Sequence, residues 1–340
     1  MDIQEVARRA KVSTATVSRV LNNSGKVRED TAKRVRRVIE SLNYIPNNSA
    51  RNLRIGRSEL FGLVVSDIKN PFFPELIDHF EELATAKGIN VIFTHTNYDD
   101  QRMISCIQRL VERNVDGIAV MTSEVSKPAL ELATRGRVPV VLLNQSALAA
   151  KYASVLVDYT RGYREAVVHL EKLGHRDIAF LSGSSTFSSV RRRQEAFRSA
   201  IEKSELKFRK ECLLIGDLRV EGGRKAVAEL LRIKPRPTAL VATNDLMAVG
   251  VLQAAQAAGL RVPEDLSIIG FDDIPIAAMM HPELTTIHLS RREIASNAFA
   301  QLMHLCRKDV TPRPDLLHKI YPRLVVRGST APPQGKRSRR

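Results

Sequence analysis

No stretch of this 340-residue chain reaches the roughly 18 consecutive apolar residues that a membrane-spanning helix needs. The N-terminus also lacks the apolar run of a secretory signal. A cytoplasmic protein with no membrane partner is the expectation. Cysteine is scarce: Cys106, Cys212 and Cys306 are odd in number, widely spaced and set among apolar residues, which points to buried thiols and away from a disulfide framework or a zinc site. None of the eight His residues forms a ligand pair at helical spacing, so no metal is expected. Enzyme signatures are missing too. There is no phosphate loop, no Gly-x-Gly-x-x-Gly after a strand and no Gly-x-Ser-x-Gly, which disfavours an enzyme on an α/β scaffold and leaves no cofactor to expect.

What the chain has is positive charge, unevenly placed. Of the net +16, an excess of +8 lies before residue 58, where thirteen Lys and Arg face five Asp and Glu. The last residues (Lys336, Arg337, Arg339, Arg340) add +4, and the large middle carries the remaining +4. Within the basic segment, Ile3, Val6, Ala7 and Ala10 recur at helical spacing behind an Asp2-x-x-Glu5 capping pair. Lys11-Val12-Ser13 breaks that helix. Ser13 can cap a second one, Thr14 to about Asn22, with Val17, Val20 and Leu21 inward and Thr14, Ala15, Ser18 and Arg19 outward. A plain helical hairpin would share this periodicity. The charge density decides for DNA, because cations clustered on a small helical domain are the footprint of phosphate binding.

From Leu60 onward short apolar runs alternate with helical patterns. Strands are predicted at Leu60–Val65, Val91–Phe93, Gly117–Met121 and Val138–Leu143, with helices near 74–87, 100–114 and 126–135. A second series has strands near 177–181, 212–215, 238–242 and 266–270 and helices near 160–173, 190–204, 221–232 and 245–258. Such alternation predicts parallel sheets flanked by helices, and two series predict two lobes. A strand at Leu284–Ile287, a helix near 291–307 and a strand at Tyr321–Val326 then return the chain to the first lobe and again to the second. Ligands in open parallel sheets bind at the carboxyl ends of strands. There, after the first strand, stands Ser66-Asp67-Ile68-Lys69-Asn70-Pro71-Phe72-Phe73, whose aromatic pair could stack on a ligand or simply fill the core.

Several segments carry a family resemblance. Val6-Ala7, Val12-Ser13, Thr16-Val17-Ser18-Arg19-Val20-Leu21-Asn22, Leu42-Asn43-Tyr44-Ile45-Pro46-Asn47 and Ala50-Arg51-x-Leu53 resemble the headpiece of the LacI/GalR family of bacterial transcription regulators. The likeness continues collinearly to about Gly328. It implies an all-α helix-turn-helix headpiece (1–46), a hinge helix and linker (47–57) and a two-lobed, periplasmic-binding-protein-like α/β core (58–330). Lobe 1 would hold about 58–157 and 288–320, and lobe 2 about 158–287 and 321–330. Residues 331–340 read as a disordered basic tail.

The resemblance also assigns roles. Thr14, Ala15 and Arg19 would meet base edges, while Ser13, Ser18, Asn22, Tyr44 and Asn47 would contact phosphates. Leu53 would wedge into the minor groove from a hinge helix that, at about two turns, is too short to be stable alone. Asp2 departs from the family, standing where relatives commonly place a phosphate-contacting threonine. The implied partners are double-stranded DNA with a pseudo-palindromic operator, a second copy of the chain in a homodimer, and a small-molecule effector, a sugar or sugar derivative, held between the lobes. Phe72, Phe73, Asn144, Asp158, Arg193, Asn244 and Asp272 match effector-binding positions. Gln145 and Phe187 lie where the purine-responsive member has an aromatic and an arginine, and Met121 where the lactose-responsive member has an asparagine, so neither ligand transfers. A repressor controlled by its effector is the expected function. The alternative is a solute-binding protein of the same core fold without regulatory DNA binding.

Overall fold

The computed structural model describes residues 2–21, 24–25, 27–44, 57–122, 124–144, 152–206, 208–307 and 319–334. The chain forms two separate units, one ending at Ser58 and one beginning at Glu59. In the first, α1 (Ile3–Ala10), α2 (Thr14–Leu21) and α3 (Glu29–Ser41) pack around Val6, Ala7, Ala10, Val17, Val20 and Val35. Asp2 begins α1 by accepting the Glu5 amide at 3.0 Å, which satisfies one of the helix's orphan donors. Lys11 ends it in the left-handed region (φ 52°). Two residues later Ser13 Oγ accepts the Thr16 amide at 3.2 Å and opens α2, so the turn between the helices is three residues long.

In the second unit strands and helices alternate. The first lobe is built from β1 (Leu60–Val65), α4 (Phe72–Thr85), β2 (Asn90–His95), α5 (Asp100–Glu112), β3 (Gly117–Val120), α6 (Lys127–Arg135), β4 (Val140–Leu143) and β5 (Ala153–Val157). The second lobe follows with α7 (Tyr159–Lys172), β6 (Ile178–Ser182), α8 (Ser188–Glu202), β7 (Leu213–Ile215), α9 (Val220–Arg232) and β8 (Ala239–Ala242). It continues through α10 (Asp245–Ala257), β9 (Ser267–Asp272), α11 (Pro275–Met279) and β10 (Thr285–His288). Then α12 (Arg291–Leu305) packs on α4, β11 (Lys319–Ile320) joins β5 in the first sheet, and β12 (Arg323–Val325) joins β10 in the second.

Sheet order is β11-β5-β4-β3-β1-β2 in one lobe and β12-β10-β9-β8-β6-β7 in the other. Among the described residues only the β10–β12 pair is antiparallel. Strands β3, β4, β6, β8 and β9 are buried along their whole length, as parallel strands covered on both faces must be. Where α9 crosses α10, Gly223 and Gly250 let the two backbones touch, because a Cβ on either would run into the Met247 or Val220 carbonyl. Among the described residues no helix is long and apolar enough to cross a membrane. Cys106 and Cys212 are buried thiols, and Cys306 is half-buried.

The structure departs from the sequence reading in three places. Strands β5 and β11 and the short α11 were not expected, since runs of two to five residues are too short to show a period. The expected Tyr321–Val326 strand contracts to Arg323–Val325, because Pro322 has no amide to give to a ladder. Finally, residues 331–334 are not disordered. Ala331 exchanges hydrogen bonds with Ser267 Oγ (both 3.1 Å) and its carbonyl meets His175 Nε2 at 3.1 Å, while Thr330 Oγ1 meets His169 Nε2 at 3.0 Å and Gln334 takes a bond from Arg261 at 3.2 Å. Residues 335–340 lie outside the described residues.

Burial disfavours charge on the two histidines that hold this C-terminal strap. Burial lowers the His175 pKa from its ordinary 6.5 to about 4, and burial lowers that of His169 as well. Folding therefore favours the neutral ring, and the associated stability is complete above pH 6.5 and lost as pH falls toward 4. Thermal or urea unfolding should show the protein about 2 kcal/mol less stable at pH 5 than at pH 7.5 on account of His175. His175→Gln, neutral at both values, should remove most of that difference, and an unchanged pH slope would assign it to other groups.

Candidate functional site

The exposed face of α2 presents Thr14, Ala15 and Arg19 to solvent, with Ser13 exposed and Ser18 half-buried beside them. Val17 and Val20 anchor the opposite face in the small core. Tyr44 is half-buried against that same core. Not every cation is directed outward: Arg34 Nε donates to the Ala10 carbonyl at 2.9 Å, closing the end of α1, and Arg8 and Arg9 both grip Glu5 at 2.6–2.8 Å. Asn22, Asn47 and Leu53, and the hinge segment from 47 to 56, lie outside the described residues.

In the second unit the two sheets turn their carboxyl edges toward each other, and the polar residues that end the strands converge there. Ser66 follows β1, Tyr98 follows β2, Met121 and Thr122 follow β3, Asn244 and Thr243 follow β8, and Asp272 ends β9. Together with Asn70, Phe72, Phe73, Tyr159 and Arg193 they enclose a cavity of about 70 Å³. That is room for about two waters and far below the about 300–1,000 Å³ of an ordinary ligand pocket, so the lobes are closed on one another. Larger grooves run beside α7 and α8, and one of them reaches the carboxyl ends of β4 and β5, where Asn144, Val157 and Asp158 line it.

Arg193 is the centre of the cavity. Its Nη2 meets Asp272 Oδ1 at 3.2 Å, its Nη1 donates to the Thr243 carbonyl, and its guanidinium lies 4.2 Å from the Phe271 ring centroid and 5.2 Å from that of Tyr159. Its buried Nε has no hydrogen-bond partner among the described residues. Burial raises the Asp272 carboxyl above the ordinary carboxylate range, and Arg193, Arg291 and a hydrogen bond from Asn70 pull it back. Burial likewise opposes the Arg193 charge, but Asp272 and the neighbouring tyrosines more than offset it and hold the guanidinium charged. Behind this pair, Asp245 is fully buried and its carboxyl pushed well up by burial; it accepts from Thr286 Oγ1 and the Ile274 amide, bracing the backbone just beyond Asp272. Asp272 and Asp273 both hold positive φ (109° and 55°), a costly backbone fixed by these bonds and by Arg291, which donates to both carbonyls.

Residues 2–47 match the model for bacterial regulatory proteins of the lacI family, and residues 167–330 match the periplasmic binding protein-like domain. A protein named HTH-type transcriptional repressor PurR from Glaesserella parasuis serovar 5 (strain SH0165) is 34% identical over 96% of this chain and 97% of its own length. The chain belongs to the lacI family of bacterial regulatory proteins. Among solved structures, a lac repressor dimer bound to operator and the anti-inducer ONPF matches at TM-score 0.85 and 26% identity over 97% of this chain and 99% of that one. A LacI family regulator from Enterococcus faecium with bound ribose matches at TM-score 0.71 and 29% identity over 80% and 99%. The protein is thus a DNA-binding transcriptional repressor with a helix-turn-helix headpiece and a two-lobed α/β core, and it is not an enzyme.

Of the seven cleft residues that the lacI-family resemblance points to, five line the cavity: Phe72, Phe73, Arg193, Asn244 and Asp272. The phenylalanines are at once pocket wall and core, each less than a tenth exposed and in edge contact at 5.3 Å. Asn244 also caps α10 through the Met247 amide at 2.9 Å. The other two lie elsewhere. Asn144 is buried behind the wall, accepting the Val157 amide at 2.6 Å and donating to Tyr159 Oη at 2.8 Å, while Asp158 caps α7 through the Thr160 amide at 3.0 Å. Neither lines this cavity; both line a neighbouring groove together with Val157 and Tyr159. The sequence reading missed Asn70, Tyr98 and Tyr159, although each stands within a few residues of a strand's carboxyl end, the position that could have flagged it.

Breaking the central ion pair has a clear cost. Asp272→Asn leaves a buried guanidinium without its counter-charge and should lower the unfolding free energy by about 3 kcal/mol in denaturant melts. Arg193→Met with Asp272→Asn should recover part of that loss, whereas strict additivity of the two substitutions would show that the groups do not act as a pair.

Proposed function

We propose that this repressor reads a pseudo-palindromic operator as a homodimer and that its operator affinity is set by a neutral, polyhydroxylated effector of the sugar class bound in the interlobe cavity. The observation that carries the reading is the buried Arg193–Asp272 pair, balanced in charge, with Arg193 Nε still lacking an acceptor. A charge-balanced wall disfavours an ionic ligand, since a lone charge taken out of water there would have no partner. Fixed groups from both lobes (Asn70, Tyr98, Arg193, Asn244) instead match the donors and acceptors of a polyol, and a polar group left unpaired costs about 1–3 kcal/mol, enough to discriminate. Phe72, Phe73 and Tyr159 supply apolar wall to the carbon side of a sugar. The relative with bound ribose is consistent with this class.

On the headpiece, Thr14, Ala15 and Arg19 are the base readers in this proposal, with Ser13, Ser18, Asn22, Tyr44 and Asn47 on phosphates and Leu53 in the minor groove. A cytoplasmic location follows from that role. Ligand acts by its differential affinity for the two arrangements of the lobes, and that difference sets the largest change in operator affinity it can produce.

Arg19→Ala should weaken operator binding by about 1–3 kcal/mol and relax preference at one base pair of each half-site in a binding-site selection. Uniform weakening across sequences would mean that Arg19 touches only phosphate. For the cleft, a thermal-shift panel of pentoses, hexoses, sugar acids and nucleobases should rank a neutral sugar first. Arg193→Ala with Asp272→Ala should abolish that shift while operator binding persists. Nucleobases ranking first would replace the ligand class, and a retained shift would move the site.

A further inference from the structure

Helix α8 carries Arg193, yet it begins without a cap of its own. Its N-cap residue is Phe187, which has no side-chain acceptor, and the structure shows no cap bond from that residue. The missing acceptor comes from the opposite lobe. Glu124, in the loop between β3 and α6, accepts the Ser188 amide at 2.8 Å, the Ser189 amide at 3.0 Å and the Ser189 hydroxyl at 2.9 Å. A carboxylate at a helix N-terminus also faces the positive end of the helix dipole. Two further contacts cross the cleft alongside it: Tyr98 against Phe187, with ring centroids 5.2 Å apart, and Arg219 on Asp67 (3.3 Å) and Asn97 (3.0 Å).

We propose that Glu124 is the latch of the cleft, a positioning residue that caps the arginine-bearing helix from across the lobes, so that the first turn of α8 is complete only when the lobes are closed. Cleft opening and fraying of α8 then become one event. The protein's own carboxylate holds the cavity at its small volume, and any effector must enter by uncapping the helix that presents Arg193 to it. Arg193 lies one and a half turns from the cap, close enough for its placement to depend on that turn.

Hydrogen–deuterium exchange on the full-length chain, with neither DNA nor small molecule added, tests the latch. Glu124→Ala should speed exchange at amides 188–192 by about tenfold, with Glu124→Gln between it and the parent and the amides of β8 unaffected. Unchanged exchange at 188–192 in Glu124→Ala overturns the proposal. Ser188→Pro provides the reciprocal arm: proline suits the first helical position and Phe187 already has a compatible backbone (φ −83°, ψ 130°), but the shorter of the two amide bonds that Glu124 accepts is gone. It should speed exchange at Glu124 and its neighbours in the first lobe. Should the Glu124 variants unfold, seen as uniformly fast exchange, Ser188→Pro decides, and unchanged exchange at Glu124 overturns the latch.

Discussion

A guanidinium withdrawn from water must be met by charge, carbonyls and rings, and the cleft of this protein is organised around meeting that need for Arg193. Asp272 supplies the counter-charge, Thr243 a carbonyl, and Tyr159 and Phe271 the faces. Those partners stand on different elements, so the requirement is met only once α7, α8, β8 and β9 are in register. The strained backbone at Asp272 and Asp273 belongs to the same constraint. It points the carboxylate at Arg193 while Arg291, at the start of α12, takes both carbonyls and also pairs with Glu75 of α4 at 2.7 Å. One crossover residue thereby joins the cavity-lining acid of one lobe to the helix that carries Phe72 and Phe73 in the other.

The parallel strands were legible because burial on both faces leaves nothing but apolar residues between turns. β1, β3, β8 and β9 stand out for that reason, and the polar residue that ends each run marks the carboxyl edge. β5 and β11 did not stand out. They are short, and β11 exists because its neighbour β5 offers a ladder, a fact about partners and not about its own two residues. The helical headpiece was readable from its amphipathic spacing and from the Asp2 and Ser13 caps, since a cap is a local interaction confined to four residues.

The cleft was readable only in part, and the boundary is again set by sequence distance. Arg193, Asn244 and Asp272 follow a motif resemblance that holds locally. Asn144 and Asp158 sit at equally suggestive places, yet they line a neighbouring groove and accept the Val157 and Thr160 amides, which only the fold reveals. Glu124 and Ser188 are 64 residues apart, and nothing near either announces the other. Interactions that bridge the lobes lie between segments that no periodicity relates.

The internal bonds of the headpiece bear on how it responds to ionic strength. Arg34 closes α1, and Arg8 and Arg9 share one glutamate, so several cations in that unit already have partners of their own. Counterions are released from a duplex only by cations that reach its phosphates, at about 0.9 per phosphate neutralised. The logarithm of operator affinity should therefore fall with added salt less steeply than the gross count of lysines and arginines implies, leaving a larger share of the binding free energy to contacts that electrolyte does not screen.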